Sequence, residues 1–143
     1  MGARTSLSAT DLRASSAAAR AACKDACAPA VLLTAVFGIG GLGHLAVQLA
    51  RAFGAEVIAL DVSEDKLALA RELGAATTLN VTDPDALKAL RKLGGAHVAL
   101  VTSAAKAAYD MAFKGLRPGG TLAVVGLPPE ALSFQALAIV GST

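Results

Sequence analysis

Apolar and polar positions alternate in blocks along the chain from about residue 30 onward. Short continuous apolar runs, rich in Val, Ile, Leu and Ala, are separated by stretches with helical spacing that end at glycine. The apolar runs predict strands that are buried on both faces, and the intervening stretches predict amphipathic helices. The predicted strands cover residues 31–37, 56–60, 77–80, 97–102, 121–125 and 136–140. The predicted helices cover residues 42–53, 64–73, 84–93 and 104–115.

The regular succession of strands and helices predicts parallel βαβ units with right-handed crossovers. The predicted fold class is therefore α/β, a Rossmann-type doubly wound parallel sheet of about six strands with helices on both faces. Ser63 and the pair Asp83-Pro84 predict helix starts, and Gly74 predicts a helix end. The Arg-Pro-Gly-Gly sequence at 117–120 predicts a turn before the fifth strand. The short link at 127–135 leaves little room for a full helix between the fifth and sixth predicted strands.

The first 28 residues differ in composition from the rest of the chain. They are rich in Ala, Ser and Arg and low in complexity, so they predict either an Ala-rich helix or disorder. Pro29 marks the boundary, and residues 29–143 form the predicted folded domain. The two cysteines, Cys23 and Cys27, lie before it. A pair at this spacing without a nearby histidine does not indicate a zinc site.

Charge and hydropathy argue against several classes of protein. The chain has 13 basic and 11 acidic residues, a net charge of +2. We therefore expect no nucleic-acid partner. Residues 26–50 carry no charge, but glycines, Pro29 and His44 interrupt them, so we expect no membrane span. The N-terminus lacks the apolar core of a secretory leader, and we expect a cytoplasmic protein.

The sequence GIGGLG, which begins at Gly38, matches the pattern G-x-G-x-x-G. It lies between a predicted strand and a predicted helix, which is the context in which this pattern indicates dinucleotide binding. Gly38 would permit the tight turn, Gly40 the approach of a diphosphate, and Gly43 close packing of the helix on the strand. The amides of the first helical turn would face the diphosphate, which places Gly41 and Leu42 in the site as well. The alternative is a tight turn with no ligand.

Asp61 ends the second predicted strand region, eighteen residues after Gly43. A carboxylate at this place accepts the hydroxyls of an adenosine ribose and repels a 2′-phosphate, so NAD is favoured over NADP. Lys66 lies one helical turn further on and is placed to reach the same ribose. The alternatives are a helix-capping or loop carboxylate for Asp61 and a solvated surface lysine for Lys66.

Further candidates follow the fourth and fifth predicted strands. In an open α/β sheet the ligand lies beyond the carboxyl ends of the strands. This rule places Thr102 and Ser103 along the cofactor, together with Gly126 and Leu127. A hydroxyl pair at a strand end also serves as a helix cap, and both interpretations stay open.

These segments resemble the cofactor-binding domain of zinc-dependent alcohol dehydrogenases of the medium-chain superfamily. The resemblance extends over residues 35–130. It is carried by positions 36–44, 46–48, 61, 66–67, 70, 72–75, 101–102, 117–120 and 125–129. It implies NAD binding, with Asp61 and Lys66 at the adenosine ribose and Thr102 and Leu127 on the nicotinamide side. The reaction that it implies is hydride transfer between an alcohol and NAD.

The resemblance also implies zinc, which the residues of this chain do not support. Family members carry an N-terminal catalytic domain that supplies the zinc ligands, and residues 1–28 do not resemble it. A catalytic zinc needs about three protein ligands around one open position. The two cysteines and the two histidines do not assemble such a set, and we interpret His44 and His97 as structural. We therefore expect no catalytic residue and no turnover of alcohols by this chain alone.

Two other functions remain as alternatives. One is a non-catalytic nucleotide-binding or assembly module, in which the sixth strands of two copies pair edge to edge as a homodimer. The other is a methyltransferase, because sites for S-adenosylmethionine also use a glycine loop and an acid after the second strand. Binding of NADH, NADPH or S-adenosylmethionine distinguishes these functions.

Overall fold

Five strands and four helices alternate along the described part of the chain. The computed structural model describes residues 31–136 and residue 139. The strands are β1 (Leu33–Phe37), β2 (Glu56–Asp61), β3 (Thr77–Asn80), β4 (Ala96–Val101) and β5 (Leu116–Val124). The helices are α1 (Gly43–Ala52), α2 (Glu64–Glu72), α3 (Ala86–Lys92) and α4 (Lys106–Gly115).

The strands form one sheet in the order β3-β2-β1-β4-β5. Every neighbouring pair is parallel. The chain winds outward from β1 to β3, and α3 then carries it back across the sheet to β4. The winding direction therefore reverses between β1 and β4, which is the switch point of a doubly wound sheet. The predicted Rossmann-type fold class is confirmed.

The core lies on both faces of the sheet because successive strand residues point to opposite sides. On one face, Val36 and Ala59 pack with Val47 of α1 and Ala70 of α2. The other face carries a second cluster formed by strand residues and the inner sides of α3 and α4. Its largest fully buried members are Phe37, Ile58, Leu60, Leu90 and Tyr109. The helices thus cover both faces, as the continuous apolar strands predicted.

The turn predicted at 117–120 lies inside β5. Leu116 pairs with Ala96, and Thr121 pairs with Val98. Four residues of β5 therefore lie opposite one residue of β4 and form a bulge, within which Gly119 has a φ of +74°. The predicted turn is thus accommodated within a longer edge strand, which begins earlier than predicted.

Two predicted helix starts are wrong by a few residues. The Asp83 carboxylate accepts the N–H of Asp85 at 2.9 Å in a local turn, and α3 begins only at Ala86. The hydroxyl of Ser103 accepts the N–H of Ala105 at 3.2 Å, and α4 begins at Lys106. In both cases the capping side chain stabilises the turn that precedes the helix, not its first turn.

The sixth strand predicted at 136–140 is wrong at its two described positions. Ala136 and Ile139 are helical, and the N–H of Ile139 donates to the carbonyl of Gln135 at 3.3 Å. The homodimer expected through that strand stays a prediction. The predicted N-terminal segment of residues 1–28 lies outside the described residues. Within residues 31–136, no helix is long and apolar enough to cross a membrane.

Candidate functional site

A cavity of about 560 Å³ opens at the carboxyl edge of the sheet, beside the switch point between β1 and β4. We call it the carboxyl-edge cavity. Eight of the eleven predicted site residues line it: Gly38, Gly40, Gly41, Leu42, Asp61, Lys66, Thr102 and Ser103. The other three, Gly43, Gly126 and Leu127, lie outside its lining.

Two glycines of the loop between β1 and α1 are required by the protein's own geometry. Gly38 has a φ of +91°, and a Cβ there would lie 3.0 Å from the Cβ of Ser103. A Cβ on Gly43 would lie only 1.8 Å from the carbonyl oxygen of Gly38. The first glycine therefore makes the turn out of β1, and the other allows α1 to begin directly against that turn.

Gly40 and Gly41 have no such requirement. A Cβ at either position would meet nothing within 4 Å, and neither residue has a left-handed φ. Both residues line the carboxyl-edge cavity. Their lack of a side chain therefore keeps open space that no other part of the described chain fills.

The Asp61 carboxylate joins the end of β2 to this loop. Its side chain is buried, and its Oδ2 accepts the N–H of Ile39 at 2.7 Å. Its Oδ1 accepts the N–H of Ser63 at 3.0 Å. Since each carboxylate oxygen can accept about two hydrogen bonds, one position remains on each for a further donor. Sequence reasoning identified the residue but missed its bond to the glycine loop.

Lys66 lies in the first turn of α2 and is exposed at the mouth of the cavity. The structure gives its ammonium no hydrogen bond or ion pair among the described residues.

The hydroxyl of Thr102 fastens the end of β4 to the end of β1. Its Oγ1 lies 2.6 Å from the carbonyl oxygen of Gly38 and 3.1 Å from that of Phe37. Its backbone N–H also donates to the carbonyl of Phe37 at 3.0 Å. The adjacent Ser103 uses its hydroxyl in the turn before α4. Both side chains line the cavity while serving the protein's own loops.

Gly126 lies behind the cavity wall rather than in it. A Cβ there would lie 2.4 Å from the carbonyl oxygen of Ser103, so the two backbones are in close contact. The hydroxyl of Tyr109 donates to the carbonyl of Gly126. Leu127 follows and is 81% exposed. Sequence reasoning missed Tyr109, because an aromatic residue on the inner face of a helix is typical of a core position.

An apolar wall faces the glycine loop across the cavity, and sequence reasoning missed it too. Its side chains come from the segments after β2 and β3 and from one side of α4. They are Val62, Val81, Ala107, Ala108 and Met111. Only the three-dimensional arrangement brings these separated segments together.

The two histidines contact backbone groups. His44 Nδ1 lies 2.8 Å from the carbonyl oxygen of Gly40, within the glycine loop. His97 Nδ1 accepts the N–H of Leu33 at 3.0 Å at the start of β1. Among residues 31–136 there is no cluster of three or more His, Cys, Asp or Glu side chains that could hold a metal. The described residues thus do not fit a catalytic zinc; Cys23 and Cys27 lie outside them.

Comparison with known sequences identifies similar proteins. Residues 41–142 match the family described as zinc-binding dehydrogenase. An alcohol dehydrogenase of Geobacillus stearothermophilus is 48% identical over 97 residues, which cover 67% of this chain and 29% of that protein. An alcohol dehydrogenase of Moraxella sp. is 53% identical over 96 residues, covering 66% and 28% respectively. The chain therefore spans less than a third of the length of these relatives.

Solved structures show the same arrangement. An alcohol dehydrogenase zinc-binding domain protein from Burkholderia ambifaria superposes with a TM-score of 0.75 at 31% identity, covering 89% of this chain and 36% of that one. Galactitol-1-phosphate dehydrogenase from Escherichia coli superposes with a TM-score of 0.68 at 32% identity, covering 77% and 33%. Both similarities concern one part of a longer chain.

Proposed function

Because the chain belongs to the zinc-binding dehydrogenase family, we propose that the carboxyl-edge cavity binds a nicotinamide dinucleotide, NAD(H). The observation that carries this proposal is the open space beside Gly40 and Gly41. Neither backbone conformation nor packing requires glycine there. Glycine is required at these positions if a ligand must approach the backbone closely. A diphosphate bound at the start of a helix is such a ligand.

The start of α1 supplies the attraction for the diphosphate. The first amides of a helix have no carbonyl partner within it, and the helix dipole places partial positive charge at this end. The first turn of α1 contains no acidic residue that would oppose an anion. Binding of the diphosphate therefore needs no basic side chain, although Lys66 at the cavity mouth adds a favourable charge.

Asp61 is the basis for preferring NAD over NADP. Its buried carboxylate lines the cavity and has acceptor positions left after its two backbone hydrogen bonds. The two hydroxyls of the adenosine ribose of NAD can donate to those positions. A 2′-phosphate would bring negative charge against a carboxylate in a poorly hydrated place, which is unfavourable.

The apolar wall suits the adenine ring, since a planar ring gains from contact with flat apolar surface. With adenosine between Asp61 and that wall, the dinucleotide would cross the glycine loop toward the ends of β4 and β5. The nicotinamide half would then lie near Thr102, Ser103 and the Gly126-Leu127 segment. These residues would orient the cofactor.

We propose that this domain holds the cofactor for hydride transfer between an alcohol and NAD. In such a reaction a catalytic zinc would polarise the alcohol oxygen. Because the described residues do not fit that zinc, we assign no catalytic step to them. We expect the 143-residue chain alone to bind NAD(H) without oxidising alcohols.

The test is a fluorescence titration of the purified chain with NADH, repeated with NADPH and with S-adenosylmethionine as a competitor. We expect saturable NADH binding, a preference for NADH over NADPH of about tenfold or more, and no competition. In the Asp61→Ser variant the preference should fall toward parity. Absence of NADH binding, or displacement of NADH by S-adenosylmethionine, would overturn the proposal.

The same samples are assayed for alcohol oxidation with and without added zinc. Binding without turnover supports a cofactor domain that depends on other residues for chemistry. Turnover that requires zinc would contradict the proposed inactivity of the chain while leaving the cofactor site in place.

A further inference from the structure

One buried hydroxyl connects α4 to the segment that follows β5. Tyr109 is fully buried in α4, on the face that packs against the sheet. Its hydroxyl donates to the carbonyl of Gly126, seventeen residues further along the chain. Burial raises the pKa of Tyr109 by penalising its charged form, so the hydroxyl keeps the proton that it donates.

The carbonyl that it reaches lies where the β4–β5 ladder ends. The N–H groups of Val125 and Gly126 both donate to the carbonyl of Val101, at 3.0 and 2.9 Å. Two amides that share one carbonyl cannot continue a regular ladder, and the chain leaves the sheet at this point. The hydrogen bond from Tyr109 is therefore placed where sheet pairing stops determining the path of the chain.

This point is in close contact with the segment that follows β4. The backbone of Gly126 packs against Ser103 so closely that a Cβ would overlap its carbonyl oxygen. The preceding residue, Thr102, is fastened in turn to the carbonyl of Gly38 in the glycine loop. Tyr109, Gly126, Ser103, Thr102 and Gly38 thus form a continuous series of contacts that begins behind the cavity wall and ends in the glycine loop.

We propose that Tyr109 is a positioning residue for the nicotinamide half of the bound dinucleotide. It does not line the cavity, and it acts by holding Gly126 and Leu127 against the end of β4. This inference rests on the proposed function. Of the anchors of the adenosine half, Asp61, Val62 and Val81 lie on the β2 and β3 side, whereas Ala107, Ala108 and Met111 of the apolar wall share α4 with Tyr109. Loss of the Tyr109 hydroxyl leaves those side chains in place, so the nicotinamide half should depend on this hydroxyl more strongly than the adenosine half.

The test is the Tyr109→Phe variant, which removes one oxygen atom and leaves the ring in the core. Affinities for NADH and for AMP are measured with the wild-type chain and the variant. We expect NADH binding to weaken about fivefold, corresponding to the loss of one buried hydrogen bond, and AMP binding to change less than about twofold. Hydrogen exchange at the amides of residues 125–127 should be faster in the variant without any ligand.

Ala112→Gly serves as the matched control, because it destabilises the same helix at a buried position and keeps the hydroxyl. Its ratio of NADH to AMP affinity should equal that of the wild-type chain. Equal weakening of NADH and AMP in Tyr109→Phe would reveal a general effect on the fold and overturn the inference. Unchanged NADH affinity, or unchanged exchange at 125–127, would overturn it as well.

The outcome for the wild-type chain separates this inference from the proposed function. If the wild-type chain binds neither NADH nor AMP, the proposed function itself is wrong and the inference falls with it. If it binds NADH and the variant binds it equally well, only the role of Tyr109 is wrong.

Discussion

The Oδ2 atom of Asp61 accepts the backbone N–H of Ile39 at 2.7 Å, across 22 residues of chain. Ile39 lies inside the glycine loop, and Asp61 ends the neighbouring strand β2. The residue proposed to select the cofactor therefore also holds the loop proposed to bind its diphosphate. Changes at this position should affect stability and cofactor choice together.

Asp61→Ser should lower the free energy of unfolding by about 1–3 kcal/mol, because the buried N–H of Ile39 loses its acceptor. Urea unfolding without ligand measures this effect. The control is Asp65→Ser on the exposed side of α2, which should change stability by less than about 0.5 kcal/mol. Equal stabilities of the Asp61→Ser variant and the wild-type chain would show that the contact with Ile39 contributes nothing.

Gly40→Ala should separate binding from stability. The added Cβ meets no protein atom within 4 Å, so the free energy of unfolding should change by less than about 1 kcal/mol. The Cβ would occupy space proposed for the diphosphate, and we expect NADH affinity to fall about tenfold or more. NADH titration and urea unfolding of the same sample measure the two quantities.

Gly43→Ala is the matched substitution with the opposite expectation. Its Cβ would overlap the carbonyl of Gly38, so this variant should be destabilised by several kcal/mol, about 3 or more. If Gly40→Ala bound NADH as tightly as the wild-type chain, the open space beside Gly40 would not be the place where the diphosphate binds.

Much of this site was predictable from the sequence, because its motif is local. The positions of Gly38, Gly43 and Asp61 follow from one strand–loop–helix unit and the end of the next strand. The fold followed from the alternation of apolar strands and amphipathic helices, which leaves few other ways to cover both faces of a sheet. The five strands and four helices follow one another along the chain as predicted, and the sixth predicted strand is the exception.

Other features depend on contacts that no local pattern reports. The bulge of β5 opposite His97 is set by pairing with β4, which is distant in sequence. The hydrogen bond from Tyr109 to Gly126 joins a helix to a strand end. The helical Ala136 and Ile139 show the limit of periodicity itself, since a short apolar run fits a buried strand or a helix equally well.

Thr102→Val should weaken the junction between β1 and β4. Valine has nearly the same shape as threonine but cannot donate to the carbonyl of Gly38, so we expect a loss of about 1 kcal/mol in stability. NADH affinity should also fall, because the junction supports the glycine loop. Thr102→Ser keeps the hydroxyl and should retain most of both properties. A serine variant as impaired as the valine variant would point to packing of the methyl group instead.

Tyr109 should make the stability of the domain fall at high pH. Burial raises the pKa of Tyr109 above its usual value of 10.0, so the folded chain holds the phenol proton where the unfolded chain has released it. The contribution of the protonated Tyr109 hydroxyl to stability is therefore complete below about pH 10 and is lost as the pH rises through the folded-state pKa.

The chain has one tyrosine and no tryptophan, so tyrosinate absorbance reports this residue alone. We expect its titration midpoint to lie above that of the urea-unfolded chain. Unfolding free energies measured from about pH 8 to 11 should decline more steeply for the wild-type chain than for Tyr109→Phe, which has no proton to lose at this position. Superimposable midpoints in the folded and unfolded chain would mean that the hydroxyl is hydrated, and the contact with Gly126 could not then have the positioning role proposed for it.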